Sequence, residues 1–173
     1  MTKSLAWRNI VAKHYNEQAD QYDISTLSTM PDQNIRRLEI QNLLKYLNEG
    51  DRCLEIGCGN GTTTRIISET KTLDIFAVDA NTKMIKLAKS QNMSKIKGTL
   101  IFTKKDILNL KSKEKFDVVY TIRCIINLLD QKIQLLALTN LANSVKIDGK
   151  LILLEAFEDG WQELNQARRE VGL

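Results

Sequence analysis

The sequence contains little proline, cysteine, histidine or aromatic residue, and each shortage narrows what the protein can be. Of its 173 residues one is proline, one is histidine and three are cysteine, and aromatic residues make up 6%. The single proline and the lack of low-complexity tracts leave no interdomain linker, so we expect residues 1–173 to form one domain. Cys53, Cys58 and Cys124 form no C-x-x-C pair. We therefore expect packed thiols, with no disulfide framework and no metal site.

The sequence also has no long apolar run and no dense cluster of charge. No stretch of about 18 apolar residues occurs, and residues 1–10 lack the apolar core of a signal peptide, so we expect a cytoplasmic protein that does not enter a membrane. Lysine and arginine total 25 against 21 acidic residues, and the net charge of +4 is scattered along the chain. With few aromatic residues beside it, this charge is typical of a solvated surface and argues against nucleic-acid binding.

Short apolar runs alternate with helical patterns, which indicates a parallel sheet with crossover helices. Helices are predicted at residues 5–22, 34–47, 62–68, 82–90, 131–145 and 160–171, and strands at 53–56, 73–78, 99–103, 116–121 and 150–155. Asp32 is available as the N-cap of the second helix, Val145 is expected to face the sheet from the fifth, and residues 106–115 form a loop. Because parallel crossovers are right-handed, the predicted α/β fold is a Rossmann-like parallel sheet of order 3-2-1-4-5 with helices on both faces. A ligand would bind at the carboxyl edge of its strands.

A glycine-rich turn follows the first predicted strand. Gly57, Gly59 and Gly61 alternate with other residues, and glycine lets the backbone turn sharply and lets a ligand approach without a Cβ in the way. The spacing differs from the G-x-G-x-x-G of dinucleotide enzymes, and no Gly-Lys-Ser/Thr follows as in a Walker loop. The turn favours a nucleoside ligand without a pyrophosphate. A nicotinamide-dependent reductase is kept as an alternative.

Two acidic residues stand where the second and third predicted strands end. Asp79 follows Gly61 by 18 residues, and a carboxylate there suits the two hydroxyls of a ribose. Asp106 and Ile107 suit adenine, because the carboxylate accepts from the exocyclic amine while the next backbone N–H donates to a ring nitrogen. Each aspartate taken alone fits a helix N-cap equally well.

Together these motifs resemble the class I methyltransferases that depend on S-adenosylmethionine (SAM). Residues 54–61, Leu-Glu-Ile-Gly-Cys-Gly-Asn-Gly, are similar to the glycine motif of that family. Residues 78–84 are similar to its second motif, residues 105–107 to its third site, and residues 116–119 to its fourth strand. The resemblance covers roughly residues 34–155 and implies SAM as cofactor and S-adenosylhomocysteine (SAH) as product.

The resemblance also implies roles for individual residues. In the family, the acid matching Glu55 helps to hold the methionine end of SAM, the glycines pass under it, the acid matching Asp79 binds the ribose, and the apolar residue matching Met84 packs on adenine. Residues 1–31 resemble an N-terminal helical lid, and residues 121–128 resemble a stretch found in small-molecule methyltransferases. The predicted cofactor-binding residues are Tyr15, Tyr22, Glu55, Gly57, Cys58, Gly59, Gly61, Asp79, Ala80, Met84, Asp106, Ile107 and Arg123.

Several residues keep a structural alternative. Tyr15 fits a helix residue packed in the core, and Arg123 fits a surface or salt-bridged arginine. The one histidine, His14, lies in the predicted lid helix, where we expect it to be packed or half-exposed, so no catalytic base is assigned.

The predicted function is transfer of a methyl group from SAM to oxygen or nitrogen of a small-molecule acceptor by in-line displacement. The protein would contribute alignment and the exclusion of water. The sixth and seventh strands of the family are not found in the sequence, which gives the alternative of a truncated SAM-binding module without catalysis. It also leaves the fifth strand as an open apolar edge on which a second copy of the chain could pair.

Overall fold

A five-stranded parallel sheet forms the centre of the molecule. The computed structural model describes residues 3–110, 114–170 and 172. The strands are β1 (Arg52–Ile56), β2 (Asp74–Asp79), β3 (Thr99–Lys104), β4 (Phe116–Ile122) and β5 (Val145–Leu154). Their order is β3-β2-β1-β4-β5 and each neighbouring pair is parallel. The predicted sheet is confirmed, and the carboxyl ends of all five strands meet at one edge.

Six helices accompany the sheet in the described ranges of the chain. They are α1 (Lys3–Tyr22), α2 (Gln33–Leu44), α3 (Thr62–Thr70), α4 (Thr82–Ser90), α5 (Gln131–Ala142) and α6 (Glu158–Glu170). Single 3-10 turns occur at Thr26–Ser28, Ile107–Asn109 and Ile125–Asn127. The second of these begins the predicted loop at residues 106–115, of which residues 111–113 lie outside the described residues. The predicted helix at residues 160–171 is α6, although Val171 also lies outside them.

Side-chain caps explain where several helices begin. Asp32 accepts hydrogen bonds from the backbone N–H groups of Asn34 and Ile35, as predicted for the start of α2. Asn81 caps α4 and Asp130 caps α5 in the same way. These short polar side chains satisfy N–H groups that the first turn of a helix leaves without a partner.

Apolar side chains fill both faces of the sheet, which confirms helices on both sides. Cys53 and Leu54 are consecutive in β1 and enter opposite clusters, as the two-residue period of a strand requires. Leu43 of α2 lies in the first cluster and Leu141 of α5 in the second, and both are fully buried. None of the helices in the described parts of the chain is long and apolar enough to cross a bilayer.

The start of β5 differs from the prediction. Val145 was expected to end a helix, but α5 ends at Ala142 and Val145 is the first residue of β5, opposite Phe116. Residues 146–149 then bulge out before Lys150 pairs with Val118. The apolar spacing of α5 continues to Val145, so the sequence pattern alone cannot separate the helix from the strand. The other element boundaries agree with the predictions to within three residues.

Candidate functional site

A cavity of about 840 Å³ lies at the carboxyl edge of the sheet. Residues at the ends of β1, β2, β3 and β4 line it, and α1 contributes a further wall that includes Arg8, Val11 and Tyr15. The N-terminal segment predicted to act as a lid therefore lies against the predicted ligand site. Ten of the thirteen predicted cofactor-binding residues line the cavity: Tyr15, Glu55, Gly57, Cys58, Gly59, Asp79, Ala80, Asp106, Ile107 and Arg123.

Three predicted residues do not line this cavity. Tyr22 is the last residue of α1, and Gly61 precedes the first residue of α3. Met84, predicted to pack on adenine, is fully buried in α4. In this structure Tyr22 and Gly61 lie at helix ends, and Met84 lies in the core.

Asp79 joins the end of β2 to the glycine turn. One of its carboxylate oxygens accepts a hydrogen bond from the backbone N–H of Gly59 at 2.9 Å, and the other accepts from the backbone N–H of Asn81 at 2.7 Å. The cap of α4 is Asn81 and not Asp79, so the helix-cap alternative does not describe Asp79. Burial raises the pKa of the Asp79 carboxyl, and the two backbone hydrogen bonds oppose that shift.

Asp106 has two partners in the structure. One carboxylate oxygen accepts from the backbone N–H of Leu108 at 2.9 Å and so caps the 3-10 turn after β3. The other forms an ion pair with Arg8 of α1. Asp106 is thus a cap, as its structural alternative proposed, and also a point at which α1 is attached to the cavity.

Glu55 is a carboxylate buried within β1. Its residue is 2% exposed, and one oxygen accepts a hydrogen bond from the hydroxyl of Tyr120 at 3.2 Å. Burial raises the pKa of Glu55 from 4.5 to about 7. A carboxyl group in this state gains from a positively charged neighbour, because such a neighbour favours the ionised form.

The backbone conformation and the neighbours of the turn both favour glycine. Gly57 and Gly61 have left-handed φ angles of 81° and 77°. A Cβ on Gly57 would lie 2.9 Å from Sγ of Cys124, and a Cβ on Gly61 would lie 2.7 Å from a ring carbon of Phe102. The left-handed backbone agrees with the sharp turn expected of these glycines, and the close contacts add a second requirement for a residue without a Cβ.

The end of β4 and the segment after it form a further wall, with Ile122, Arg123, Cys124, Asn127 and Leu128 against the cavity. Nε of Arg123 lies 3.3 Å from Oε1 of Glu39 in α2. Arg123 is therefore salt-bridged, as its structural alternative proposed, and it also lines the cavity. The hydroxyl of Tyr15 accepts a hydrogen bond from the Asn127 amide at 3.3 Å, and burial raises the pKa of that hydroxyl.

Some lining residues had no assigned role in the sequence. Lys105 and Asn81 lie inside motifs that the resemblance covers, so their positions at strand ends were a usable signal. Asn127 lies within residues 121–128, which the resemblance also covers, whereas Arg8 reaches the cavity only through the packing of α1. The same lining includes Thr29, Thr63, Lys104 and Asn109.

His14 and the cysteines contribute no evident metal or base. His14 is exposed, contrary to the packed or half-exposed position expected, and its ring contacts the edge of Tyr15 at a centroid distance of 5.2 Å. Within residues 3–110, 114–170 and 172, no group of three histidines, cysteines or acids is placed to hold a metal ion.

A parallel sheet of this order with a cavity beyond the glycine turn belongs to the open α/β folds, in which ligands bind outside the carboxyl ends of the strands. The model of the family described as "Methyltransferase domain" matches residues 53–149. The chain belongs to this methyltransferase family, and its fold and motifs place it among the class I SAM-dependent methyltransferases. The predicted family is thereby confirmed.

Individual proteins agree with this family. The chain is 28% identical over 165 residues to a malonyl-[acyl-carrier protein] O-methyltransferase of Bacillus anthracis, covering 91% of this chain and 56% of that one. Among solved structures, it resembles the N-methyltransferase NodS of Bradyrhizobium japonicum in complex with SAH. The TM-score is 0.69 and the identity 19%, and the match covers 82% of this chain and 71% of that one. It also resembles phosphoethanolamine N-methyltransferase 1 of Haemonchus contortus. The TM-score is 0.74 and the identity 20%, and the match covers 91% of this chain and 34% of that one. The chain spans between 24% and 56% of the length of the curated relatives it matches.

Proposed function

We propose that the protein binds SAM in this cavity and transfers its methyl group to oxygen or nitrogen of a small-molecule acceptor. The observation that carries the proposal is the arrangement of three carboxylates. Glu55, Asp79 and Asp106 belong to β1, the end of β2 and the residues just after β3, and all line one cavity. Neighbouring strands lie about 4.8 Å apart, so these three positions extend over roughly 10 Å of the sheet edge. That span suits a nucleoside with an amino-acid tail.

The residues present fit SAM chemically. Asp79 would accept from both ribose hydroxyls, because a carboxylate has about four lone-pair sites and only two are used by Gly59 and Asn81. Asp106 and Ile107 would hold adenine. Glu55 and the turn at Gly57 would hold the methionine end, whose ammonium group would favour the ionised form of this buried acid.

SAM supplies a methyl group already activated as a sulfonium, so the protein has to align the acceptor and exclude water. Helix α1 is placed to exclude water, since it lines one side of the cavity and its Trp7 indole N–H donates to the Asn127 carbonyl at 3.1 Å. Tyr15 would act there as a hydrogen-bond donor and not as a base, because the raised pKa of its hydroxyl keeps it protonated. No residue is assigned as general base.

The range of acceptors is supported by the relatives. Curated relatives are named O-methyltransferases and two of the similar structures are named N-methyltransferases. We therefore keep oxygen and nitrogen acceptors together as one proposal.

A thermal-shift comparison of SAM, SAH and NADH tests the cofactor. A ligand at 100 times its dissociation constant stabilises the folded state by about 2.7 kcal/mol, a readily measured shift. SAM and SAH should raise the melting temperature and NADH should not. Stabilisation by NADH alone would support the alternative of a nicotinamide-dependent reductase.

Transfer itself needs a second measurement. Formation of SAH from SAM, followed with a panel of small hydroxyl and amine acceptors, should exceed the rate without acceptor. The alternative is a non-catalytic SAM-binding module. Binding of SAM without turnover on any acceptor would support that module.

A further inference from the structure

The carboxylate of Glu155, the residue after β5, is bound by the segment that follows β4. Its Oε1 accepts hydrogen bonds from the hydroxyl of Thr121 at 2.8 Å and from the backbone N–H groups of Cys124 at 3.0 Å and Ile125 at 3.1 Å. Its Oε2 accepts from the backbone N–H of Ile126 at 3.2 Å. Three consecutive N–H groups converging on an anion form a nest, an arrangement that fixes both the anion and the backbone.

The segment held in this way contains a residue with a strained backbone. Arg123 has a φ angle of 53°, in the left-handed region that non-glycine residues rarely adopt. Its backbone N–H donates to the carbonyl of Leu154 at 2.8 Å, and its carbonyl accepts from the Asn127 side-chain amide at 2.9 Å. Strained backbone persists only where the surroundings impose it, and Glu155 supplies four of the contacts that do so here.

Two parts of the cavity depend on this segment. Cys124 lies so close to the glycine turn that a Cβ on Gly57 would come within 2.9 Å of its Sγ. Asn127 is joined to α1, since its carbonyl accepts from Trp7 at 3.1 Å and its amide donates to Tyr15 at 3.3 Å. Movement of the segment would therefore disturb the turn and the α1 wall together.

We propose that Glu155 is a positioning residue for the cofactor site: it does not line the cavity, but it fixes the segment on which the glycine turn and α1 are packed. This inference rests on the proposed function, because its effect is expected on the binding of SAM and SAH. Glu155 acts through Cys124 and Asn127 and makes no contact with the ligand itself.

Calorimetric titration with SAH of the wild-type chain, Glu155→Gln, Glu155→Ala and Asp117→Ala tests the proposal, with a urea melt of each protein. The Asp117 carboxylate accepts from the Arg52 backbone N–H at 3.0 Å and from Nζ of Lys146 at 2.7 Å, at the start of β4 and away from the cavity. It is the matched control for the loss of a hydrogen-bonded carboxylate.

We expect Glu155→Ala to weaken SAH binding at least tenfold, because the segment loses all four contacts. Glu155→Gln should recover part of this affinity, since its amide oxygen can still accept several of the same hydrogen bonds. Asp117→Ala should lose stability with SAH affinity unchanged. Hydrogen exchange at the amides of Cys124, Ile125 and Ile126 should become faster in the Glu155 variants and not in the control.

The possible results separate clearly. SAH affinity of Glu155→Ala within twofold of wild type, with faster exchange at the three amides, would show a purely structural role and overturn the inference. If Glu155→Ala does not fold, Glu155→Gln decides in the same way, a loss of affinity supporting the role and unchanged affinity overturning it. Failure of the wild-type chain to bind SAH would contradict the proposed function itself, and the role of Glu155 with it.

Discussion

Asp79 accepts a hydrogen bond from the backbone N–H of Gly59 at 2.9 Å, and this contact links the end of β2 to the turn that follows β1. The two residues are 20 positions apart in sequence and meet because β1 and β2 are parallel neighbours. The carboxylate thereby uses one lone pair for the glycine turn and one for the backbone N–H of Asn81, and its other lone pairs remain for a ligand. Under the proposed function, this one side chain combines a structural and a binding role.

Asp79→Ala should weaken SAH binding at least tenfold, because two charge-assisted hydrogen bonds to the ribose, each worth about 1.5–3 kcal/mol, would be lost. It should also lower stability by about 1–3 kcal/mol, since the N–H groups of Gly59 and Asn81 lose their acceptor. Asp32→Ala is the control, because Asp32 also accepts from two backbone N–H groups but lies outside the cavity. Equal SAH affinities of the two variants by calorimetry would refute the ribose role.

Gly61→Ala should destabilise the fold more than Gly50→Ala. Both glycines have left-handed φ angles, 77° and 83°, so each substitution costs about 1–2 kcal/mol in backbone strain. A Cβ at Gly50 meets nothing within 4 Å, whereas one at Gly61 would lie 2.7 Å from Phe102 and 2.9 Å from Ala88. Overpacking should add about 1–3 kcal/mol at Gly61, measured by urea unfolding. Equal losses would mean that the core around Phe102 can adjust.

The fold was predictable because its three central strands, β1, β2 and β4, are largely buried and so appear as short apolar runs. The order of the strands followed from the handedness of parallel crossovers, and the positions of Asp79 and Asp106 followed from the meeting of strand ends at one edge. The start of β5 was not predictable, since Val145 extends the apolar spacing of α5 without a break.

The contacts of α1 with the cavity could not be read from the sequence either. Arg8 reaches Asp106 and Trp7 reaches Asn127 across separations of 98 and 120 residues. Local spacing does not encode which residues meet over such distances. For the same reason the pattern around Glu155 contained no indication that its carboxylate binds the segment after β4.

The stability of the protein should fall as the pH rises from about 4.5 to about 7. The pKa of Glu55 is raised to about 7 by burial, so the native state retains a proton that the unfolded state releases near pH 4.5. The loss is on the order of 3 kcal/mol and is complete above the native pKa. Glu55→Gln keeps an acceptor for Tyr120. In urea melts between pH 4.5 and pH 7 it should not show the loss of stability caused by Glu55. Glu17→Gln, at an exposed site of α1, should behave as wild type. If Glu55→Gln loses stability over this pH range as the wild-type chain does, titratable groups other than Glu55 cause the loss.

The open side of β5 should allow two copies of the chain to associate. In the described sheet β5 pairs only with β4, and Leu151 at this edge is 37% exposed. We expect light scattering to show a dimer that Leu151→Lys converts to a monomer, because a charged edge residue disfavours further strand pairing. Leu135→Lys is the control, since Leu135 is 66% exposed on α5 and away from the strand edge. A monomer at every concentration would contradict this association.

Arg8→Ala should bind SAH more tightly than the wild-type chain. The Arg8 guanidinium forms an ion pair with the Asp106 carboxylate that we propose as the acceptor for adenine, so the ligand has to compete with α1 for it. Both side chains are partly exposed, which limits such a pair to about 1 kcal/mol and the gain in affinity to about fivefold. High salt screens the pair and should narrow the difference between the two proteins. Lys13→Ala removes an exposed ion pair with Glu17 on the same helix and should leave SAH affinity unchanged. Weaker binding by Arg8→Ala would mean that Arg8 contacts the ligand instead of competing with it, and the adenine role of Asp106 would then need a different arrangement of α1.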